Sequence, residues 1–203
     1  FDGTVYFIFQ PAEEHEGGGR VMVEEGLFDR FPMERVFGLH NWPGLPAGSF
    51  GVTEGPVMAG TDRFEIMLTG RGGHAAMPHQ SIDVVVAGSA LVQALQSLVS
   101  RETDPQDAAV VSVTQFHAGH VDNVLPETAM LGGTVRTLSD QVALETRTRM
   151  LNPKWYEGML EHGYEGVRQI EVHVTNTMGW SATTGQVQPW VYQQLTQTFM
   201  LDP

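Results

Sequence analysis

Glu13 and Glu14 stand side by side at the end of an apolar run and just before three glycines, in TVYFIFQPAEEHEGGG. Adjacent carboxylates repel, so a useful pair divides its labour: one gives an oxygen to a cation, the other takes a proton from a water. Thr4 to Gln10, carrying Val5, Tyr6, Phe7, Ile8 and Phe9, predicts a short strand ended by Pro11. That puts the acids on the loop at a strand's carboxyl end, where open α/β sheets place their chemistry. A second run, VFGLHNW, reads as a buried strand with His40 at its carboxyl end. Three metal-competent side chains then converge at one sheet edge. An acidic pair alone is usually a solvated turn and a single histidine usually structural; their coincidence is what points to chemistry.

The elements that must position these groups sit in a chain of 203 residues, 41% hydrophobic and 17% charged, enough for one sizeable domain or two small ones. A net charge of -13 and a pI near 4.8 exclude a nucleic-acid backbone or an anionic membrane as the expected partner, since both require a positive footprint. There is no cysteine, hence no disulfide framework and no thiolate metal site, which fits a cytoplasmic setting. No apolar run approaches a membrane span, and no signal peptide is visible.

After the acidic loop, Val21, Met22, Val23, Leu27 and Phe28 suit one face of a short helix closed near Gly26. A Gly/Pro-rich stretch predicts a domain boundary near Val57 to Thr61. Beyond it, DRFEIMLTG alternates as a strand, GRGGHAAMPH is a loop, and VVVAGSALVQALQSLVSRE has helical period and length. AAVVSVTQFHAG and TAMLGGTVRTL read as two further strands, with a second helix starting after Ser139. This order predicts a ferredoxin-like α+β unit. From about Ala143 the chain changes character, with three of its four tryptophans and turn signals at NP, ATTG and QP. Across WYEGMLEHGYEGVRQIEVHVTNTM, the apolar positions Met159, Tyr164, Val167, Ile170 and Val174 favour a helix, although IEVHV also alternates as a strand.

FIFQPAEE, GGGRVMVEEGLF, FGLHNWPGLPAGSFGV, TGRGGHAAMPH, VDNVLPETA and GGTVR together resemble the M20 metallopeptidase family. The resemblance covers residues 1 to about 141 and lies in the branch containing hippurate hydrolase and N-acyl-amino-acid hydrolases. It implies an α/β fold: part of a catalytic domain over residues 1–58, then a ferredoxin-like lid or dimerisation domain over 59–142 whose last strand is missing. It implies hydrolysis of an N-acyl amino acid with a divalent metal, zinc or manganese, with cobalt or nickel also compatible. Glu13 would be the general base, Glu14 and His40 metal ligands, and His74 the lid histidine that donates to the developing oxyanion, commonly across a dimer. Asn123 and Arg136 match positions used near the substrate's carboxylate. Further family ligands have no counterpart in the sequence, so an incomplete metal site and little activity are expected. His79, His117 and His120 read as structural or solvent-facing.

NPKWYEGMLEHGYEGVRQIEVHVTNTMGWSATTGQVQPWVYQQLTQTFMLDP resembles the carboxyl-terminal region of the aerobic cobaltochelatase large subunit, related to magnesium chelatase. It implies a mostly helical foreign segment over residues 143–203 and cobalt insertion for cobalamin synthesis as the alternative function. No catalytic residue carries over; His162 and His173 read as surface or packing residues. The join near Asp140 to Leu144 has no linker composition and falls where the lid's second helix is expected, as a fusion of two unrelated stretches would.

Overall fold

The computed structural model describes residues 2–13, 17–152, 156, 167, 169–176 and 194–200, the last of these by backbone alone. The chain divides into two compact units, Phe1–Glu54 and Gly55–Pro203. Among the described residues, no helix is long and apolar enough to cross a membrane.

In the first unit, α1 (Gly18–Glu24) and α2 (Leu27–Arg30) meet at Gly26, whose φ of 88° is left-handed and breaks one helix into two. The expected helix is therefore present, divided at the glycine predicted to end it. The two expected strands are not: neither residues 4–10 nor residues 35–41 pair into a sheet. A strand is defined by its hydrogen-bonded neighbour, and neither apolar run finds one in this unit. Their side chains stay in solvent, with Phe7 83%, Phe9 85%, Phe37 88% and Leu39 85% exposed. The edge of Tyr6 meets Phe31 at 5.5 Å between ring centres.

The second unit is built on β1 (Gly60–Thr69), where Asp62, Phe64, Ile66 and Leu68 are buried and Arg63 and Glu65 exposed. A ribbon follows, β2 (Gly73–His74) paired with β4 (Val124–Leu125). Helix α3 (Val84–Leu95) starts at Asp83, whose carboxylate accepts from the N–H groups of Val85 and Val86 at 2.9 and 3.2 Å. It buries Val84, Ala87, Gly88, Leu91 and Leu95, one helical face, and is followed by the short α4 (Ser97–Ser100). Then come β3 (Ala109–Ala118), β5 (Thr128–Thr137), α5 (Asp140–Met150), β6 (Gln169–Asn176) and β7 (Gln194–Met200).

The antiparallel sheet runs β3-β5-β1-β6-β7, with Glu65 opposite Gly132 on one side and His173 on the other. Four of these strands with the helices between them give the ferredoxin-like order predicted from sequence, and they correct two expectations. The last strand is present, as β6, because Ile170, Val172 and Val174 continue the buried face of β1. The helix favoured across IEVHV is thus a strand: period two wins because β1 offers an open edge that buries every second side chain. The foreign helical tail is corrected to the same extent, since β6 and β7 are strands of this one sheet and α5 passes unbroken through the join near residue 142. Tyr156, fully buried, donates its hydroxyl to the Met150 carbonyl at 2.6 Å and ties the chain beyond α5 to the core. Met159, His162 and Tyr164, named in the helix and ligand expectations, lie outside the described residues.

A buried ion pair fastens α5 to the sheet, Arg147 Nε donating to Asp62 Oδ2 at 2.8 Å. Asp62 is only 3% exposed and its Oδ1 has no hydrogen-bond partner. Burial pushes its carboxyl above the usual range, opposed by the hydrogen bond and charge of Arg147.

Candidate functional site

The acidic loop owes its course to the glycines after it. A side chain on Gly18 would overlap the Pro11 carbonyl, so the segment leading to Glu13 lies directly on the start of α1. Ala12, just before Glu13, holds a φ of 47°, an uncommon value for a residue with a Cβ. Glu13 is exposed; Glu14 lies outside the described residues. His40 is exposed and stands edge-on to Trp42 at 5.6 Å. Its Nδ1 lies 2.7 Å from the Asn41 carbonyl. A carbonyl only accepts, so Nδ1 carries the proton and Nε2 keeps its lone pair, the form in which an imidazole binds a metal.

His74 shows the opposite arrangement. Its Nδ1 accepts from the Ala76 N–H at 3.1 Å, which leaves Nε2 as the protonated, donating nitrogen. The ribbon around it is tight: a side chain on Gly73 would overlap the Ser81 hydroxyl, and one on Gly72 would come within 2.8 Å of the Leu125 carbonyl. The Ala75 N–H donates to the Asn123 carbonyl at 3.0 Å, and His74 pairs with Val124. His74 and Asn123, 49 residues apart in sequence, are therefore neighbours on one ribbon.

Arg136 does not join them. It lies eight residues along β5 from Thr128, about 27 Å at the usual strand rise, and donates to the Thr61 hydroxyl. The sequence reading placed Asn123 and Arg136 beside the same carboxylate; within one chain, the length of the strand keeps them apart. Glu13 and His40 belong to the first unit, and among the described residues no three His, Asp or Glu side chains gather as a metal centre. The described donors alone do not fit a metal ion. His79 is exposed on a short 3-10 turn (Pro78–Gln80), His120 is an exposed loop residue, and His117 is exposed on β3; among the described residues none of them gathers with the others. Arg63, beside Arg136 on the sheet, was not singled out from sequence, although the alternation of DRFEIMLTG already sets it opposite Phe64 and Ile66.

The comparisons with known proteins fall on the same ferredoxin-like sheet and its histidine-bearing ribbon. Residues 59–152 match the peptidase dimerisation domain family, which spans β1 through α5. Residues 107–203 match the CobN/Magnesium Chelatase family, overlapping the first match across β3, β5 and α5. The chain is 48% identical over 139 residues to N-acetylcysteine deacetylase of Bacillus subtilis (strain 168), covering 68% of this chain and 36% of that protein. It is 42% identical over 150 residues to hippurate hydrolase of Campylobacter jejuni, covering 74% and 39% respectively. The crystal structure of Bacillus subtilis YxeP, a dinuclear metal binding peptidase from the M20 family, superposes with a TM-score of 0.63 at 35% identity, over 84% of this chain and 40% of that one. The chain is thereby related to the M20 peptidases and amidohydrolases, and it spans about two fifths of the length of these relatives.

Proposed function

We propose that this chain is part of a metal-dependent amidohydrolase that cleaves the amide bond of N-acyl amino acids, hippurate-like compounds among them. The observation that carries the reading is the contrast between two histidines: His40 offers a lone pair at Nε2, and His74 offers a proton there. A ligand and an oxyanion donor require those opposite forms. Glu13 is the base for the attacking water, Glu14 and His40 contribute ligands to a divalent ion, zinc or manganese before cobalt or nickel, and His74 donates to the oxyanion. A bound divalent ion would supply an acidified water and a polarised carbonyl. Asn123 and Arg136 hold the substrate. Their separation along β5 supports a homodimer, with each site taking His74 and Asn123 from one chain and Arg136 from the other. The edge strand β3, uncharged from Ala109 to Ala118, suits such pairing.

Incubating the purified chain with zinc or manganese and N-benzoylglycine tests this reading by the amino acid released. Slow turnover that disappears in Glu13→Gln is expected, because the described donors do not complete a metal centre. Turnover unchanged by Glu13→Gln refutes the assignment. The alternative, a cobaltochelatase-derived segment serving cobalt insertion, rests on the match over residues 107–203. It requires a tetrapyrrole to quench the tail tryptophans, and quenching at micromolar concentrations would favour it.

A further inference from the structure

Helices α3 and α5 cover one face of the sheet: Arg147 of α5 reaches Asp62, and Gly88 of α3 lies against Leu68. The other face carries Thr61, Arg63, Thr134 and Arg136 at the end of the sheet where β1 begins. Thr61 is paired with Arg136 and Arg63 with Thr134, so the two arginines are diagonal neighbours on adjacent strands, about 7–8 Å apart. Ser112 extends the row beside Thr134, and Thr175 lies beside Arg63 on the other side. Hydroxyl-bearing residues thus flank two cations.

Both arginines are exposed. Arg136 donates to the Thr61 hydroxyl, and Arg63 makes no hydrogen bond or ion pair among the described residues. The nearest acid on this face is Glu65, two residues along β1, and no ion pair joins it to Arg63. In a chain with 24 acidic and 11 basic residues, acids are abundant, yet these two guanidinium groups are juxtaposed without one. Like charges on diagonal positions repel, and an oxyanion held between them removes the cost while satisfying two planar donor forks.

We propose that Arg63 and Arg136 form one anion site that selects dicarboxylic substrates. This rests on the amidohydrolase reading: Arg136 takes the α-carboxylate of an N-acyl amino acid, and Arg63 takes a second carboxylate on its side chain. Arg63 is then a specificity-determining residue and Arg136 a general one.

Titration calorimetry on the full chain with N-acetylglutamate and its neutral isostere N-acetylglutamine tests the proposal. N-acetylglutamate should bind about tenfold more tightly, as expected for one charge-assisted contact. Arg63→Gln should bring the two affinities together while leaving N-acetylglutamine unchanged, and Arg136→Gln should weaken both. A preference for N-acetylglutamate that survives Arg63→Gln overturns the proposal. Inorganic phosphate separates its failure from that of the amidohydrolase reading. Phosphate binding abolished by Arg63→Gln, with neither acyl amino acid bound, keeps the anion site and refutes the substrate class. Phosphate binding that survives substitution of both arginines removes the site and leaves the amidohydrolase reading untouched.

Discussion

The two units of this chain have a similar proportion of apolar residues to work with and use it differently. In Gly55–Pro203, alternate residues of four strands close on two helices, and Ile66, Leu91, Leu131, Ile170 and Val172 are fully buried. In Phe1–Glu54, the apolar runs TVYFIFQ and VFGLH are no less β-prone, yet Phe7, Phe37 and Leu39 face solvent. Hydrophobic content does not make a core; a partner for each strand does. The contrast also divides the candidate chemistry. His74 and Asn123 sit on a ribbon locked by glycine contacts, whereas Glu13 and His40 lie on segments that no sheet supports.

Substitutions should expose this contrast, beginning with the most damaging. A side chain at Gly133 would overlap the Ser112 carbonyl and approach Phe64 Cε1 to 2.7 Å, so Gly133→Val should cost roughly 3 kcal/mol or more and leave the second unit unfolded by near-ultraviolet circular dichroism. Ile170→Ala should cost about 3 kcal/mol in urea titration, because it opens a cavity beside β1. A loss below about 0.5 kcal/mol would show that β6 is not part of the core. Arg147→Met leaves Asp62 buried without its cation and should cost about 2 to 3 kcal/mol at neutral pH.

Asp62 itself gives a pH dependence. Its folded pKa lies above the ordinary 3.8, so the stability it contributes is present below that value and declines as pH rises through the folded pKa. Asp62→Asn should flatten the stability profile between 3.8 and the folded pKa, measured as denaturation midpoints at successive pH values. Smaller still, Asp83→Ala removes the cap of α3 and should cost about 1 kcal/mol. Phe37→Ser, at an 88% exposed position, should change stability by less than about 0.5 kcal/mol. A large loss there would mean that Phe37 is packed in a core rather than exposed.

What could be read from the sequence follows how local each signal is. The strand at DRFEIMLTG and the helix at VVVAGSALVQAL announce themselves in the spacing of Phe64, Ile66 and Leu68 and of Val84, Ala87, Leu91 and Leu95. β6 did not, because Val167, Ile170 and Val174 satisfy a helical period equally well and only the distant edge of β1 decides between the two. The strands expected around Phe7 and Phe37 failed for the converse reason: their composition is right, but composition does not name a neighbour. In the candidate site, residue types were legible, and the tautomers of His40 and His74 were not, since each depends on where one neighbouring backbone group is placed. The pairing of Arg63 with Arg136 depends on register across two strands 73 residues apart in sequence, which no short motif encodes.

The central place of β1 has a consequence for how the molecule is made. β1 emerges first among the long strands, but its neighbours β5 and β6 follow later, and Ile170 lies about a hundred residues beyond its partner Leu68. During synthesis, Phe64, Ile66 and Leu68 must therefore leave the ribosome with both flanks open and wait several seconds at ordinary elongation rates for β6. Over that interval the nascent chain presents the sticky half of a sheet, and a chaperone that holds extended apolar segments should find β1 before its own C-terminal partner does.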